Sequence, residues 1–293
     1  MRRSMLFLPG NTPNIIVNAD VLGSDSVILD LEDAVALDQK DAARILVRNT
    51  LKTIDFGSCE IIVRINPLSS NEWEQDLEEI VPQGPDIIMP TKINGSEDVK
   101  KISSYITKVE EKNGCTVGKI KVMPLIETAR GVENSFHISE ADSRVCAIFL
   151  GCEDLTADLC CERTKDGHEV YYARSRVVCA ARAAHIDVYD TPFTSINDMD
   201  GLEKDAKFAK SLGFSGKACI NPRQVETVNR VFSPSDEAII YAKRVFQALE
   251  DAKKMGRGAV ALDGKMIDKP IVDRARYVLE MASKLNKEVN IDE

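Results

Sequence analysis

Short, continuous apolar runs recur along the chain, and seven of them stop at polar or charged residues. Val27-Ile28-Leu29 precedes Asp30, Glu32 and Asp33, and Ile61-Ile62-Val63 precedes Arg64 and Asn66. Ile87-Ile88-Met89 precedes Lys92, the run 121–126 precedes Glu127, and the run 145–150 precedes Glu153 and Asp154. Val188-Tyr189 leads to Asp190 and Thr191, and Ala218-Cys219-Ile220 to Asn221. Most runs do not alternate apolar with polar, which suits strands covered on both faces, as in a parallel sheet. Eight strands are predicted, at about 4–8, 26–31, 60–65, 86–90, 121–126, 145–150, 185–189 and 216–220. Helical patterns lie between them, including 38–53, 96–112, 195–212 and 222–232. Eightfold alternation of this kind predicts a (β/α)8 TIM barrel. A doubly wound open sheet is the alternative, but no G-x-G-x-x-G follows the first strand, so a dinucleotide site has no support.

A catalytic barrel is expected over residues 1–232 and an additional C-terminal helical segment over 233–293, packing on the barrel or reaching a neighbouring subunit. The extension reads as a helix from Ser233 to about Met255, a Gly-rich turn over 256–268, and a last helix from Pro270 to about Asn286. Residues 155–170 form a long connection after the sixth strand, equally readable as a lid and as a plain surface insertion.

With 293 residues, 44% of them hydrophobic, the chain has ample material for such a core. Its formal charge of −9 argues against nucleic acid or an anionic membrane as partner. None of the eight cysteines forms a C-x-x-C pair, and Cys146 and Cys219 sit inside apolar runs, so buried reduced thiols are expected. The apolar run near the amino terminus is too short for a signal sequence and no segment reaches membrane-spanning length, so a cytoplasmic protein is expected.

Acids at the carboxyl ends of neighbouring strands are the main chemical signal. Glu127 and Asp154 end the fifth and sixth predicted strands and project into one space. Two hard oxygen ligands with room for water and substrate suit Mg²⁺; the plain reading is that both favour helix amino termini. Three histidines without paired spacing make zinc a poor choice. Arg64 closes an apolar strand, where its guanidinium can grip a carboxylate at two points. An ion pair with Asp30, Glu32 or Asp33 is the structural reading, and the two are compatible.

Several segments together resemble the citrate lyase β subunit group of the HpcH/HpaI aldolase superfamily. They are 3–10 (RSMLFLPG), 30–35 (DLEDAV), 63–66 (VRIN), 126–132 (IETARGV), 151–155 (GCEDL), 216–222 (GKACINP) and 263–268 (DGKMID). The resemblance covers nearly the whole chain, and its specificity lies in the ordered set. It implies an eight-stranded barrel, a Mg²⁺-dependent carbon–carbon lyase and usually a homotrimer. By motif, Glu127 and Asp154 resemble the metal ligands, with Glu127 also facing substrate, and Arg64 resembles the arginine that grips the oxoacid. Asp30 and Glu32 match the acidic cluster beside it and are carried as catalytic candidates. Asp263 resembles a catalytic carboxylate that, in malyl-CoA and citramalyl-CoA lyase relatives, reaches a neighbouring subunit's site. Some citrate lyase β subunits carry Asn there, which leaves the substrate open.

The implied substrate is an acyl thioester on CoA or an acyl carrier protein, most simply a citryl thioester, with citrate lyase α and γ subunits as partners. A free-standing malyl-CoA or citramalyl-CoA lyase, with malate synthase or thioesterase activity, is the alternative. A silent barrel acting as a binding protein is disfavoured by the full set of acids and Arg64. A phosphoenolpyruvate-type enzyme would need a catalytic loop not found here.

Overall fold

A computed structural model describes residues 1–254, 261–287 and 289. The chain divides into two compact units, the first spanning Arg2–Phe232 and the second beginning at Ser233. Among the described residues, no helix is long and apolar enough to cross a membrane.

The first unit is built on one curled sheet of nine segments. They are β1 (Ser4–Pro9), β2 (Ser26–Asp30), β3 (Glu60–Ile65), β4 (Ile87–Pro90), β5 (Lys121–Val122), β6 (Leu125–Ile126), β7 (Ala147–Leu150), β8 (Asp187–Asp190) and β9 (Gly216–Cys219). Their order is β5-β4-β3-β2-β1-β9-β8-β7-β6, and every pairing within it is parallel. The predicted strand 121–126 is thus two short pieces at opposite ends of the order. Pro124, which has no N–H to donate, sits between them. Val122 also bridges Val145, with Cys146 N donating to Val122 O at 3.1 Å.

The apolar runs are continuous because both faces of the sheet are buried. Ile28 in β2 and Ile62 in β3 belong to an inner cluster with Met5, Met89, Leu125, Phe149, Tyr189 and Ala218. Their neighbours Val27, Leu29, Ile61 and Val63 belong to the outer cluster, packed under the helices. The helices present matching stripes. Lys40–Thr53 buries Ala43, Val47 and Thr50, and Ser96–Lys112 buries Val99, Ile102, Ile106 and Val109, at the three- and four-residue spacing of one helical face.

Helix starts differ from the sequence reading where a cap or a 3₁₀ turn intervenes. The helix predicted from 195 begins at Met199, after Asp198 caps it by accepting from Gly201 N at 2.9 Å. The one predicted from 222 is a 3₁₀ turn at Pro222–Gln224 followed by Val225–Phe232. The connection predicted at 155–170 is shorter, because Cys152–Asp158 is helical and a 3₁₀ turn occupies His168–Val170. Its middle is tied down by Glu169, which accepts from Thr164 Oγ1 and Arg163 Nη1, each at 2.6 Å. The cysteines are free, but only Cys152 and Cys219 are buried; Cys160, Cys161 and Cys179 are exposed, against the expectation of buried thiols.

The second unit holds a helix at Asp236–Lys254, a hairpin of Ala261–Leu262 with Lys265–Met266, and a helix at Lys269–Lys284. Most of the predicted Gly-rich turn is this hairpin, while residues 255–260 lie outside the described residues. Asp263 and Gly264 form its tip with φ of 51° and 76°, the pair of positive values that a tight two-residue hairpin requires.

The first unit buries an ionic knot. Lys217 Nζ donates to Asp190 Oδ2 and Thr191 O, each at 2.6 Å, and pairs with Asp205 at 2.6 Å. Arg174, fully buried, donates to both carboxylates. Removing one member of such a knot leaves charge uncompensated. Lys217→Met is therefore expected to lower the unfolding free energy by about 3–5 kcal/mol. Urea unfolding followed by the fluorescence of the single tryptophan, Trp73, checks it; an unchanged midpoint would show that the knot adds nothing to stability.

Candidate active site

The period of the strands decides which side chains surround the site. Successive residues point to opposite faces, so the residue two beyond an inner core residue faces the same side. Two beyond Met5, Ile28, Ile62, Leu125, Phe149, Tyr189 and Ala218 come Phe7, Asp30, Arg64, Glu127, Gly151, Thr191 and Ile220. All seven line a cavity of about 360 Å³ at the carboxyl-terminal edge of the sheet. Asp33, Glu153 and Asp154 join them from the following loops and helix.

Arg64 and Asp30 are partners in the β2–β3 register. Arg64 Nε donates to Asp30 Oδ1 at 2.6 Å and Nη2 to Oδ2 at 2.5 Å. Glu32 lies 3.3 Å from Nη1, and the guanidinium stacks 5.0 Å from the ring centre of Phe7. Burial opposes the charge on Arg64, but the Asp30 hydrogen bonds outweigh it and hold its pKa above the ordinary value. The structural ion pair expected from the sequence is therefore present. It occupies the Nε–Nη2 edge, so a substrate carboxylate would meet the Nη1–Nη2 end of the guanidinium. Asp30 also accepts from Glu32 N at 2.9 Å and Ala34 N at 3.1 Å, which fixes the turn that presents Glu32 and Asp33. Burial would raise Glu32, but Arg64 and Lys92 pull it below its usual value; burial and the neighbouring Glu32 push Asp33 up to about 6.

Glu127 is 4% exposed, and its Oε1 accepts from Lys92 N at 2.8 Å. Gly151 packs against it; a Cβ there would come within 2.8 Å of Glu127 Oε2. Burial pushes the Glu127 carboxyl up to about 8, against the pull of Lys92, with Asp154 adding to the rise. Asp154 sits in the first turn of the Cys152–Asp158 helix, whose Cys152 N donates to Thr191 Oγ1 at 3.1 Å. Its Oδ2 is buried and pairs with Lys92 Nζ at 2.9 Å.

The structure thus brings together Asp30, Glu32, Arg64, Glu127 and Asp154. Asp263 belongs to the second unit, where it pairs with Arg244 Nη2 at 2.6 Å. The sequence reading noted Lys92 as the end of an apolar run but gave it no part; the structure places its ammonium 2.7 Å from Glu32 Oε1. Phe7, Gly151 and Thr191 were also missed, and the two-residue step along each strand is the signal that finds them. His137 lies in the Ser135–Ser139 helix and His185 follows the Tyr171–Ala183 helix.

Among the described residues, no three His, Cys, Asp or Glu side chains gather as a ready-made metal cage. Glu127 and Asp154 nevertheless fit a hard divalent cation. Both offer oxygen, the buried Asp154 Oδ2 already faces a cationic group in Lys92, and Mg²⁺ usually takes one or two carboxylates with water or substrate completing its shell.

Crevices at this edge of parallel sheets are where α/β enzymes bind substrate. A clamped arginine beside acids suited to a metal marks the class as an α/β enzyme acting on a small carboxylic acid. The family follows by comparison. The family model described as HpcH/HpaI aldolase/citrate lyase matches residues 3–222, and the chain belongs to that family. It is 42% identical to the citrate lyase subunit beta of Leuconostoc mesenteroides subsp. cremoris over 97% of this chain and 94% of that one. It is 30% identical to the mitochondrial citramalyl-CoA lyase of Rattus norvegicus over 98% of this chain and 87% of the relative. A crystal structure of protein CitE from Mycobacterium tuberculosis, in complex with magnesium, acetoacetate and coenzyme A, superposes with a TM-score of 0.79 at 31% identity, covering 96% of this chain and 98% of that one. The resemblance read from the motifs is borne out, and the chain is a lyase of this family.

The raised Glu127 pKa has a readable consequence. A carboxyl whose folded pKa exceeds its unfolded value gives stability that is full below the unfolded value and lost as pH rises through the folded one, here from 4.5 through about 8. In chelator, the melting temperature should fall across that window, and Glu127→Gln should remove this part of the fall. If Glu127 ligates the metal, binding must displace its proton, and Mg²⁺ should raise the melting temperature more at about pH 8.5 than at about pH 6. A Mg²⁺ shift independent of pH would separate Glu127 from the metal.

Proposed function

We propose that the protein is a Mg²⁺-dependent carbon–carbon lyase that cleaves a 3-hydroxy acyl thioester into a 2-oxoacid and a short acyl thioester. The favoured substrate is a citryl group on CoA or an acyl carrier protein, giving oxaloacetate and an acetyl thioester. The observation that carries this reading is Arg64, held by Asp30 in the cavity lining with the Nη1–Nη2 end of its guanidinium toward the acids of the cavity, which also include Glu127 and Asp154. The identity to a citrate lyase subunit beta supports citryl as the acyl group. The CitE complex with magnesium and coenzyme A supports both the metal and the thioester carrier.

Glu127 and Asp154 would hold the Mg²⁺. When bound, the metal polarises the oxygen that becomes the ketone carbonyl. Arg64 anchors the acid end and sets the carbon–carbon bond in line for cleavage. Asp30 and Glu32 keep Arg64 oriented, and the raised pKa of Asp33 leaves it able to exchange the hydroxyl proton near neutral pH. The thioester carbonyl takes the electrons as an enolate, which needs a proton at carbon. Asp263, at the exposed tip of a hairpin, would supply it to the site of a neighbouring subunit. A homotrimer, with citrate lyase α and γ subunits as further partners, belongs to this reading.

We also read the curled sheet as a closed (β/α)8 barrel, with 121–126 counted as one strand interrupted at Pro124. All of the segments from β1 to β9 except the short β5 place a residue in the inner cluster, and Met123, just beyond β5, joins them. Residues 1–232 would then be the catalytic barrel and 233–293 its helical extension.

A free-standing malyl-CoA or citramalyl-CoA lyase is the second reading, favoured by Asp263 and by the citramalyl-CoA lyase relative. Incubation with citryl-, malyl- and citramalyl-CoA plus Mg²⁺, with identification of the released 2-oxoacid, decides between them. No oxoacid from any of the three overturns the lyase reading.

Two predictions follow from these roles. Glu127→Gln and Asp154→Asn should each abolish cleavage while leaving the circular dichroism unchanged, and Arg64→Lys should lose about 100-fold in kcat/KM because an ammonium cannot serve Asp30 and a substrate carboxylate with one planar fork. Wild-type kinetics for Arg64→Lys would reduce Arg64 to a structural ion-pair partner. For Asp263, mixing inactive Glu127→Gln and Asp263→Ala proteins under subunit exchange should restore part of the activity. Confirmed exchange with no recovery would place Asp263 outside a neighbour's site.

A further inference from the structure

Lys92 touches three acids of the site, among them both proposed metal ligands. Its backbone N–H donates to Glu127 at 2.8 Å, and its ammonium lies 2.7 Å from Glu32 Oε1 and 2.9 Å from Asp154 Oδ2. It does so from a left-handed backbone, φ 53°, a conformation that a side chain bearing a Cβ rarely adopts and that has an energetic cost. The fold thus accepts local strain to hold this residue in place.

The two arms of the ammonium differ. Toward Glu32, whose side chain is 5% exposed, it makes a hydrogen bond. Toward Asp154, whose side chain is 37% exposed, it makes a longer ion pair at 2.9 Å, closer to solvent. The Asp154 arm is therefore the weaker. A cation taking Asp154 as ligand would meet an ammonium already within 2.9 Å of that carboxylate. Two like charges at such range repel strongly in a partly buried site, so they compete for one carboxylate. The Lys92 stem is partly exposed, which leaves the head room to withdraw.

We propose that Lys92 is an internal counter-ion of the metal site: its ammonium bridges Glu32 and Asp154 in the metal-free protein, and it releases Asp154 but keeps Glu32 when a divalent cation binds. Lys92 thereby weakens metal affinity while holding the metal-free acids together, and the Glu32 contact keeps it at the site's edge after loading. The proposal rests on the reading of Glu127 and Asp154 as the metal's ligands. It assigns Lys92 as a positioning residue, acting through the carboxylates.

The sign of the effect separates this role from a merely structural one. Calorimetric titration of the full, substrate-free chain with MgCl₂ is the test. Lys92→Met removes the ammonium at similar bulk, and Lys92→Gly removes it while suiting the left-handed backbone and keeping the N–H to Glu127. Whichever of the two folds by circular dichroism should bind Mg²⁺ about tenfold more tightly than wild type. Lys92→Arg, which keeps the charge, should stay within about twofold. In chelator the melting temperature of Lys92→Met should fall, and saturating Mg²⁺ should recover most of the loss. Unchanged or weaker Mg²⁺ binding by Lys92→Met and Lys92→Gly overturns the proposal, because a purely structural lysine would loosen the site. Equal Mg²⁺ affinity of wild type and Asp154→Asn instead overturns the ligand reading itself, and this proposal with it.

Discussion

The pair between Asp30 and Arg64 is the interaction on which the site depends. Both side chains face the inside of the sheet, two residues beyond Ile28 and Ile62, where the surroundings change from apolar core to cavity. A lone charge there would be expensive to bury. Parallel register sets the two residues directly opposite each other, so each neutralises the other through two hydrogen bonds. With its Nε edge committed, the guanidinium cannot rotate. Its remaining donors are held toward the cavity before any ligand arrives, and Asp30 organises the next turn by accepting from two backbone N–H groups.

The opposite wall rests on a second set of charges. Lys217 and Arg174 are wholly buried, and Lys217 donates to the carbonyl of Thr191. The Thr191 hydroxyl accepts from Cys152 N at the start of the helix that bears Asp154. Two hydrogen bonds through Thr191 thus tie the ionic knot to the start of the helix that bears Asp154. Glu127 is fixed differently, by the Lys92 backbone and by the absence of a side chain at Gly151. The two proposed metal ligands thus have different main supports, and Lys92 is the residue that couples them, through its backbone to Glu127 and through its ammonium to Asp154.

How much of this is legible in the sequence depends on the range of the interaction. Strand positions follow from runs such as 61–63, because burial on both faces leaves a local mark. The acids and Arg64 follow from the abrupt end of each run. Pro124 is also local, yet that it divides 121–126 between two sheet neighbours depends on both partners and is not. Lys92 marks a clearer limit. Its importance comes from a left-handed backbone and from contacts with residues 60 and 62 positions away, neither of which leaves a pattern near residue 92. Asp263 is the converse case: motif resemblance singles it out, while its own unit shows only a hairpin tip paired with Arg244.

The charge balance of the cavity bears on the order of events under the proposed function. Five of its lining side chains are acids and, among the described lining residues, Arg64 is the one cation. Asp30 already neutralises that cation. Burial raises the Glu127 carboxyl to about 8 and the Lys92 ammonium, just outside the lining, pairs with Asp154, so the metal-free cavity is less negative than a count of its acids suggests, and little positive charge is left over for a substrate carboxylate. Under the proposed function Glu127 and Asp154 would hold a divalent ion, which would add positive charge near Arg64, where the oxoacid would sit. Under that reading metal loading would favour substrate binding, and the acids that the metal-free protein holds together through Lys92 are the same groups that would recruit the ion.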